Sequence, residues 1–135
     1  MKTLDIRTNA REEMIDLTPE IEASVAASGV ENGLCTVFVP HTTAGITVNE
    51  NADPDVPADL KMGLGRVVDA RWPFRHGEGN SDAHLKSTLV GCERTIAVRG
   101  GDLRLGTWQA VWFCEFDGPR TRRVEVTVLA GRTAR

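Results

Sequence analysis

Apolar and polar residues alternate in TLDIRT (3–8), which predicts a half-buried strand near the start of the chain. TPEIEASVAASG (18–29) carries helix punctuation at both ends: Thr18 as the capping residue, Pro19 at the first helical position, Gly29 just past the end. LCTVFV (34–39) is apolar and β-branched enough for a buried strand, and GITVNEN (45–51) predicts a second. Asp53-Pro54 opens a helix whose Val56, Leu60, Leu64, Val67 and Val68 recur on one face. Gly63 and Gly65 weaken that helix by about 1 kcal/mol each relative to alanine. WPFRHGEGNSD (72–82) is rich in glycine and charge and reads as a loop, feeding a short helix from Ser81-Asp82 to Gly91.

The last third is β in character: RTIAVR (94–99), TWQAVWFCEF (107–116) and RRVEVTVLA (122–130). Asp117-Gly118-Pro119-Arg120 is expected to close the last two into a hairpin. Trp108, Ala110, Trp112, Cys114 and Phe116 share one face of 107–116, and Thr107, Gln109, Val111, Phe113 and Glu115 the other. Two apolar faces predict a central strand covered on both sides, or one at a subunit interface. Strands at both ends with helices between them give an α+β fold: one compact domain over residues 1–135, with mixed or largely antiparallel sheets.

Composition narrows the function. A chain of 135 residues with 41% hydrophobic and 26% charged residues is long enough to bury a core without staples. The formal charge of −3 argues against nucleic acid as the main partner. The late basic residues Arg120, Arg122, Arg123, Arg132 and Arg135 read as solvated charge at a turn and tail. No apolar run approaches the length of a membrane span, and MKTLDIRTNAREE lacks the apolar core of a signal peptide. Cys35, Cys92 and Cys114 form no CxxC pair, so reduced thiols in the cytoplasm are expected.

Two segments hold all three histidines: His41 ends the 34–39 strand, while His76 and His84 flank the loop-to-helix segment RHGEGNSDAHLKS. Three neutral imidazoles meeting at one point would suit a tetrahedral zinc with water in the fourth position. The spacing does not require it, and His41 as a hydrogen-bonded strand end with His76 in solvent is the alternative. Glu50 falls on the face of Ile46 and Val48 by alternation. A carboxylate there must be paired, hydrogen-bonded or protonated, which fits a general acid/base; otherwise strand order ends near Val48 and Glu50 is solvated. GEGNSD (77–82) could hold an anion at a helix N-terminus, although Glu78 and Asp82 count against a plain phosphate cradle. Gln109 and Glu115 are polar among apolar neighbours and either face a pocket or are satisfied within the packing.

The blocks PHTTAGITVNENADPDVPADL, RHGEGNSDAHLKSTLVG and LGTWQAVWFCEFDGPRTRRVEV, in this order and spacing, resemble the YjbQ-like family, also called secondary thiamine-phosphate synthases. The resemblance implies a compact α+β domain assembling as a homotrimer, with pockets near subunit boundaries. It implies one cleft shared by His41, the Asn49–Asp53 run, His76, Glu78, Asn80, His84 and Gln109. Within it Glu50, His41 and Gln109 would be catalytic, and Asn49, Asn51, Glu78, Asn80, Lys86 and Thr107 would bind substrate. His41, His76 and His84 would hold a divalent metal, zinc for three imidazoles or magnesium for phosphoryl chemistry. The activity implied is joining a pyrimidine methyl pyrophosphate to a thiazole phosphate, with release of pyrophosphate. A metal-dependent hydrolase of a phosphorylated or heteroaromatic metabolite, and a non-catalytic metabolite- or metal-binding trimer, stay open beside it.

Overall fold

The computed structural model describes residues 1–132, so Arg135 and the end of the expected 1–135 domain lie outside the described residues. Eight strands and three helices run in the order β1 (Lys2–Arg7), β2 (Glu13–Asp16), α1 (Thr18–Ser28), β3 (Asn32–Phe38), β4 (Ala44–Glu50), α2 (Asp55–Val67), α3 (Ser81–Val90), β5 (Glu93–Arg99), β6 (Asp102–Leu103), β7 (Gln109–Glu115) and β8 (Thr121–Ala130). They form a five-stranded sheet, β1-β8-β3-β5-β6, and a three-stranded sheet, β2-β7-β4. Every strand pair is antiparallel. The fold is thus α+β with antiparallel sheets, as expected.

The period-two pattern explains where the core lies. Cys35 and Val37 on β3, Ile96 and Val98 on β5, and Val124 and Val126 on β8 turn inward from the large sheet. They meet Ile46, Val111 and Phe113 from the small sheet, with Leu17, Ile21 and Val25 of the α1 segment closing the layer. The far face of the small sheet carries Cys114 and Phe116 against Ala83 of α3, with Met14 and Leu64 packed around them. β7 is therefore a central strand buried on both faces within one chain. That accounts for its two apolar faces without a subunit interface.

Three local expectations change. The residue preceding α1 is Leu17, and Thr18 does not cap it. Instead Asp16 Oδ1 accepts the Thr18 amide at 2.9 Å, and Thr18 Oγ1 accepts the Val111 amide at 2.9 Å, tying the helix to β7. Gly29 does end the helix, left-handed at φ 67°. Nor do β7 and β8 form a hairpin: they belong to different sheets. The 116–120 segment crosses between them and bonds to the 8–11 loop, with the Gly118 amide donating to Arg11 O at 2.9 Å and the Arg120 amide to Thr8 Oγ1 at 2.9 Å. A Cβ at Gly118 would lie 2.3 Å from Ala10 O, so the close approach requires glycine. Finally, Asp53 Oδ1 accepts the Asp55 amide at 2.9 Å ahead of α2, but no residue of α2 is fully buried.

Candidate functional site

The site begins with two charges on core faces. Alternation along β8 turns Arg122 inward with Val124 and Val126, and alternation along β7 turns Glu115 inward with Val111 and Phe113. Glu115 is 1% exposed and Arg122 3%. Such charges persist only if paired and bonded. Arg122 Nε donates to Glu115 Oε1 at 2.9 Å, and Nη2 donates to Glu115 Oε2 at 2.5 Å and to Thr43 Oγ1 at 2.8 Å. Thr8 Oγ1 donates to Glu115 Oε1 at 2.8 Å, and the amides of Phe116 and Asp117 donate to Oε2 at 3.1 and 3.2 Å. Burial opposes ionisation of Glu115, but the bonds from Arg122 and Thr8 outweigh it and hold its pKa below the usual carboxylate range.

With Nε and Nη2 held, Arg122 turns toward a polar cleft of about 450 Å³. His41, Glu78, Asn80, Asp117 and Arg120 also line it, together with His76 and His84. All three histidines therefore reach one cleft. The His76 and His84 rings meet edge-on with centroids 5.4 Å apart, and His76 Nε2 lies 3.8 Å from Glu78 Oε2. His41 Nε2 accepts the Arg123 amide at 2.9 Å, which leaves the ring proton on Nδ1. Desolvation, then the nearby Arg122 charge, lower the His41 pKa from its ordinary value. At the rim Arg120 Nη2 pairs with Asp117 Oδ2 at 3.1 Å, and Asn80 Nδ2 donates to the same oxygen at 2.8 Å. Asn80 Oδ1 is buried without a partner among the described residues.

Convergence on a cleft is not convergence on an ion. Among the described residues no group of three or more His, Cys, Asp or Glu side chains is gathered closely enough to hold a metal. The Nε2 lone pair of His41 is already taken by Arg123. As arranged, the imidazoles do not fit the three-nitrogen set a tetrahedral zinc requires.

Several expected site residues lie elsewhere. In the β4–β7 ladder Ala44 faces Glu115 at one end and Glu50 faces Gln109 at the other. Six residue steps at ~3.4 Å separate the two ends by about 20 Å. Glu50 is half-buried and makes no side-chain bond to a described residue; Asn49 Oδ1 accepts its amide at 2.8 Å, so Asn49 is spent on the local backbone. Asn51 Nδ2 donates to Asp16 Oδ2 at 3.1 Å, Gln109 Oε1 accepts the Gly106 amide at 2.8 Å, and Thr107 is exposed in the turn before β7. Within one chain these residues finish strands and turns, and none of them lines the histidine cleft. Lys86 also lies outside the histidine cleft: it is 3% exposed, pairs with Glu12 and lies 3.6 Å from Asp82 Oδ2. Asp82 in turn takes a bidentate bond from Arg11 at 3.0 and 3.1 Å, so this network pins α3 to the N-terminal loop.

Arg122 was hidden in the sequence as part of a basic run read as solvated. The signal was present: in RRVEVTV the arginine sits two residues before Val124, in phase with the buried positions. Asp117 and Arg120 came into reach only because 116–120 crosses between sheets.

Comparison with known proteins places the chain. The profile of the family described as UPF0047 protein YjbQ-like matches residues 2–131. A UPF0047 protein of Methanocaldococcus jannaschii is 50% identical over 127 residues, covering 94% of this chain and 92% of the relative. UPF0047 protein YugU of Bacillus subtilis is 48% identical over 134 residues, covering 96% and 98%. A crystal structure of a YjbQ/UPF0047 protein from Clostridium acetobutylicum superposes with a TM-score of 0.94 at 45% identity, over 96% of this chain and all of that one. A YbjQ-like protein from Sulfolobus solfataricus superposes with a TM-score of 0.93 at 34% identity, over 96% of each chain. The chain belongs to the YjbQ/UPF0047 family.

Proposed function

We propose that the histidine–arginine cleft binds a phosphorylated small molecule and is the catalytic centre of a transferase of the thiamine-phosphate synthase type. In that reaction the thiazole nitrogen attacks the methylene carbon of a pyrimidine methyl pyrophosphate. A C–N bond forms, and the C–O bond breaks with its electron pair leaving on pyrophosphate. The observation that carries the proposal is Arg122, a guanidinium locked by Glu115 and Thr43 beneath a cleft edged by Arg120 and three imidazoles. A preorganised cation stabilises a leaving pyrophosphate without reorganising during the reaction. Arg120 would extend that field at the rim, and His41 Nδ1–H would donate to a phosphoryl oxygen. Glu78 and Asn80 would orient the organic part.

The imidazoles as arranged do not present the donor set of a tetrahedral zinc, and the side chains named above act on the phosphates directly. Metal analysis before and after chelation checks this point: a stoichiometric metal whose removal abolishes turnover would restore the three-histidine reading. The decisive experiment mixes the protein with both precursors and follows pyrophosphate. Release requiring both is expected. Release from the pyrimidine pyrophosphate alone would indicate hydrolysis and sink the coupling reaction.

Homotrimer assembly is part of the same proposal. On the outer face of the large sheet Leu34 is 49% exposed and stands opposite Leu129 at 58%, with Phe38 at 38% four residues further along β3. Light scattering of the wild type and of Leu129→Glu tests it, with a smaller species expected for the variant. Among the described residues no helix is long and apolar enough to cross a membrane. Together with the free cysteines Cys35, Cys92 and Cys114, this supports a cytoplasmic location.

A further inference from the structure

The small sheet has a second face, and its cover is incomplete. α3 sits tightly on β4: Ser87 Oγ donates to Ala44 O at 2.6 Å, and a Cβ at Gly45 would lie 2.8 Å from Gly91 O. α2 does not close down in the same way. Its Leu60 and Leu64 face the sheet but stay only half-buried. Between them and Met14, Cys114 and Phe116 lies a cavity of about 240 Å³. It opens on the α2 side of the small sheet, and none of its lining residues lines the histidine cleft.

Apolar side chains of β2, α2, α3 and β7 share the lining with Thr47 and Asn49 of β4 and with the charged Glu13, Lys61, Arg94 and Glu115. Cys114 at the floor is 1% exposed, and desolvation pushes its thiol up to about 12, so it is packing rather than a nucleophile. At the mouth Lys61 has no ion-pair partner among the described residues. Arg94 also lines the cavity, its guanidinium donating to Val90 O and Glu93 O at 2.6 Å each. Two carboxylates also border the cavity. Glu13 Oε2 accepts the Asn9 amide at 2.8 Å, and Glu115 is bound to Arg122 on the opposite face of the sheet. Among the described residues Lys61 and Arg94 both lack a carboxylate partner and Glu13 lacks a cation, so two unpaired cations face one unpaired carboxylate in the lining.

We propose that this cavity is a second ligand site, for a small carboxylate with an aromatic or branched apolar body. The body lies against Met14, Leu64 and Phe116, and the carboxylate meets Lys61 and Arg94. The site is independent of the function proposed for the histidine cleft.

The chain reports on itself, because its only methionines are Met1, Met14 and Met62. Met14 lines the cavity, while Met1 and Met62 are 84% and 50% exposed. The test labels the methionine methyl groups with carbon-13 and titrates full-length protein with 1-naphthoate or 1-naphthylmethylammonium. Saturable movement of the Met14 resonance by naphthoate is expected, with Met1 and Met62 fixed and the cationic probe binding about tenfold more weakly. Lys61→Gln is expected to weaken naphthoate by about fivefold and leave the cationic probe no weaker. Leu64→Trp is expected to fill the cavity and abolish the Met14 response. Lys61→Gln keeps the test decisive if the tryptophan variant does not fold.

An unmoved Met14, or equal affinity for both probes, overturns the proposal. So does a Met14 shift that follows protein concentration instead of probe, which would mean that a second copy fills the cavity. Saturating inorganic pyrophosphate is expected to leave naphthoate affinity unchanged. Competition would merge the two sites and also overturn the proposal.

Discussion

The two ends of the β4–β7 ladder look alike in sequence and differ in the fold. Each places a glutamate in phase with buried residues: Glu50 after Ile46 and Val48, Glu115 after Val111 and Phe113. At the Glu50 end the core runs out, with Val48 half-buried, Asn49 exposed and Glu50 unbonded beyond its backbone. At the Glu115 end the core continues under Phe116 and meets β8, where Arg122 supplies the opposite charge. Alternation reports which way a side chain points. How much protein lies above it is decided by which strands the topology brings there.

The largest test of that contrast is stability. Arg122→Leu leaves the Glu115 carboxylate buried without its cation and is expected to cost about 3–5 kcal/mol. Glu50→Gln, at the solvated end, is expected to stay within ~0.5 kcal/mol. Denaturant unfolding of both variants measures the gap, and equal effects would abolish the distinction. The double change Glu115→Gln with Arg122→Met removes both charges together and is expected to recover most of the stability, within about 2 kcal/mol of wild type. Acid behaves consistently with this picture. The Glu115 pKa is depressed in the fold, so its contribution is complete above the unfolded carboxylate value and fades as pH falls toward the folded one. The buried Asp82, whose desolvation is outweighed by Arg11, loses its contribution in the same direction.

The same pair of regions separates what the sequence could disclose from what it could not. Strand and helix periodicities placed β1, β3, β4, α1, α2, α3, β5, β7 and β8 near their observed positions, while the two-residue β6 escaped. β2 escaped because EMID mixes two acids with two apolar residues and all four are only half-buried. The residues of 117–120 predict a β7–β8 hairpin, and the segment does bend. Strands joined by a short link still need not pair when a third element, here the 8–11 loop, takes the backbone bonds of the link. Of the site, the three histidines were legible because few other residues of this chain do their chemistry. Arg122 was not, because a basic run looks solvated until β8 is known to bury every second residue. Gln109, Thr107 and the Asn49–Asn51 run were placed with the histidines by family likeness, and the antiparallel register carries them to the far end.

Binding sharpens the contrast next. The double variant at Glu115 and Arg122 keeps a fold but loses the buried cation, and inorganic pyrophosphate is expected to bind it at least tenfold more weakly than wild type, about 1.4 kcal/mol. Gln109→Ala and Thr107→Ala are expected to bind as wild type. Calorimetric titration settles both points. A loss at Gln109 matching the loss at Arg122 would return the two ends to one site.

The smallest expected effect is the most specific, because it reads the field of Arg122 at a neighbour. His41 is held below its ordinary pKa first by desolvation and next by the Arg122 charge. It should therefore titrate below the ordinary ~6.5 in the wild-type protein, followed through its ring protons by NMR. Removing Arg122 and Glu115 together takes away a nearby cation and a weaker, opposing anion. The His41 pKa should then rise, yet stay below its ordinary value, since the desolvation that dominates is untouched. For stability the sign follows from the lowered folded pKa: the unfolded chain takes up the proton first, so protonation of His41 favours unfolding as pH drops below ~6.5. That slope should be shallower in the double variant than in wild type. If His41 keeps the same pKa in both, Arg122 does not project its charge into the cleft, and the buried pair is a structural tie and nothing more.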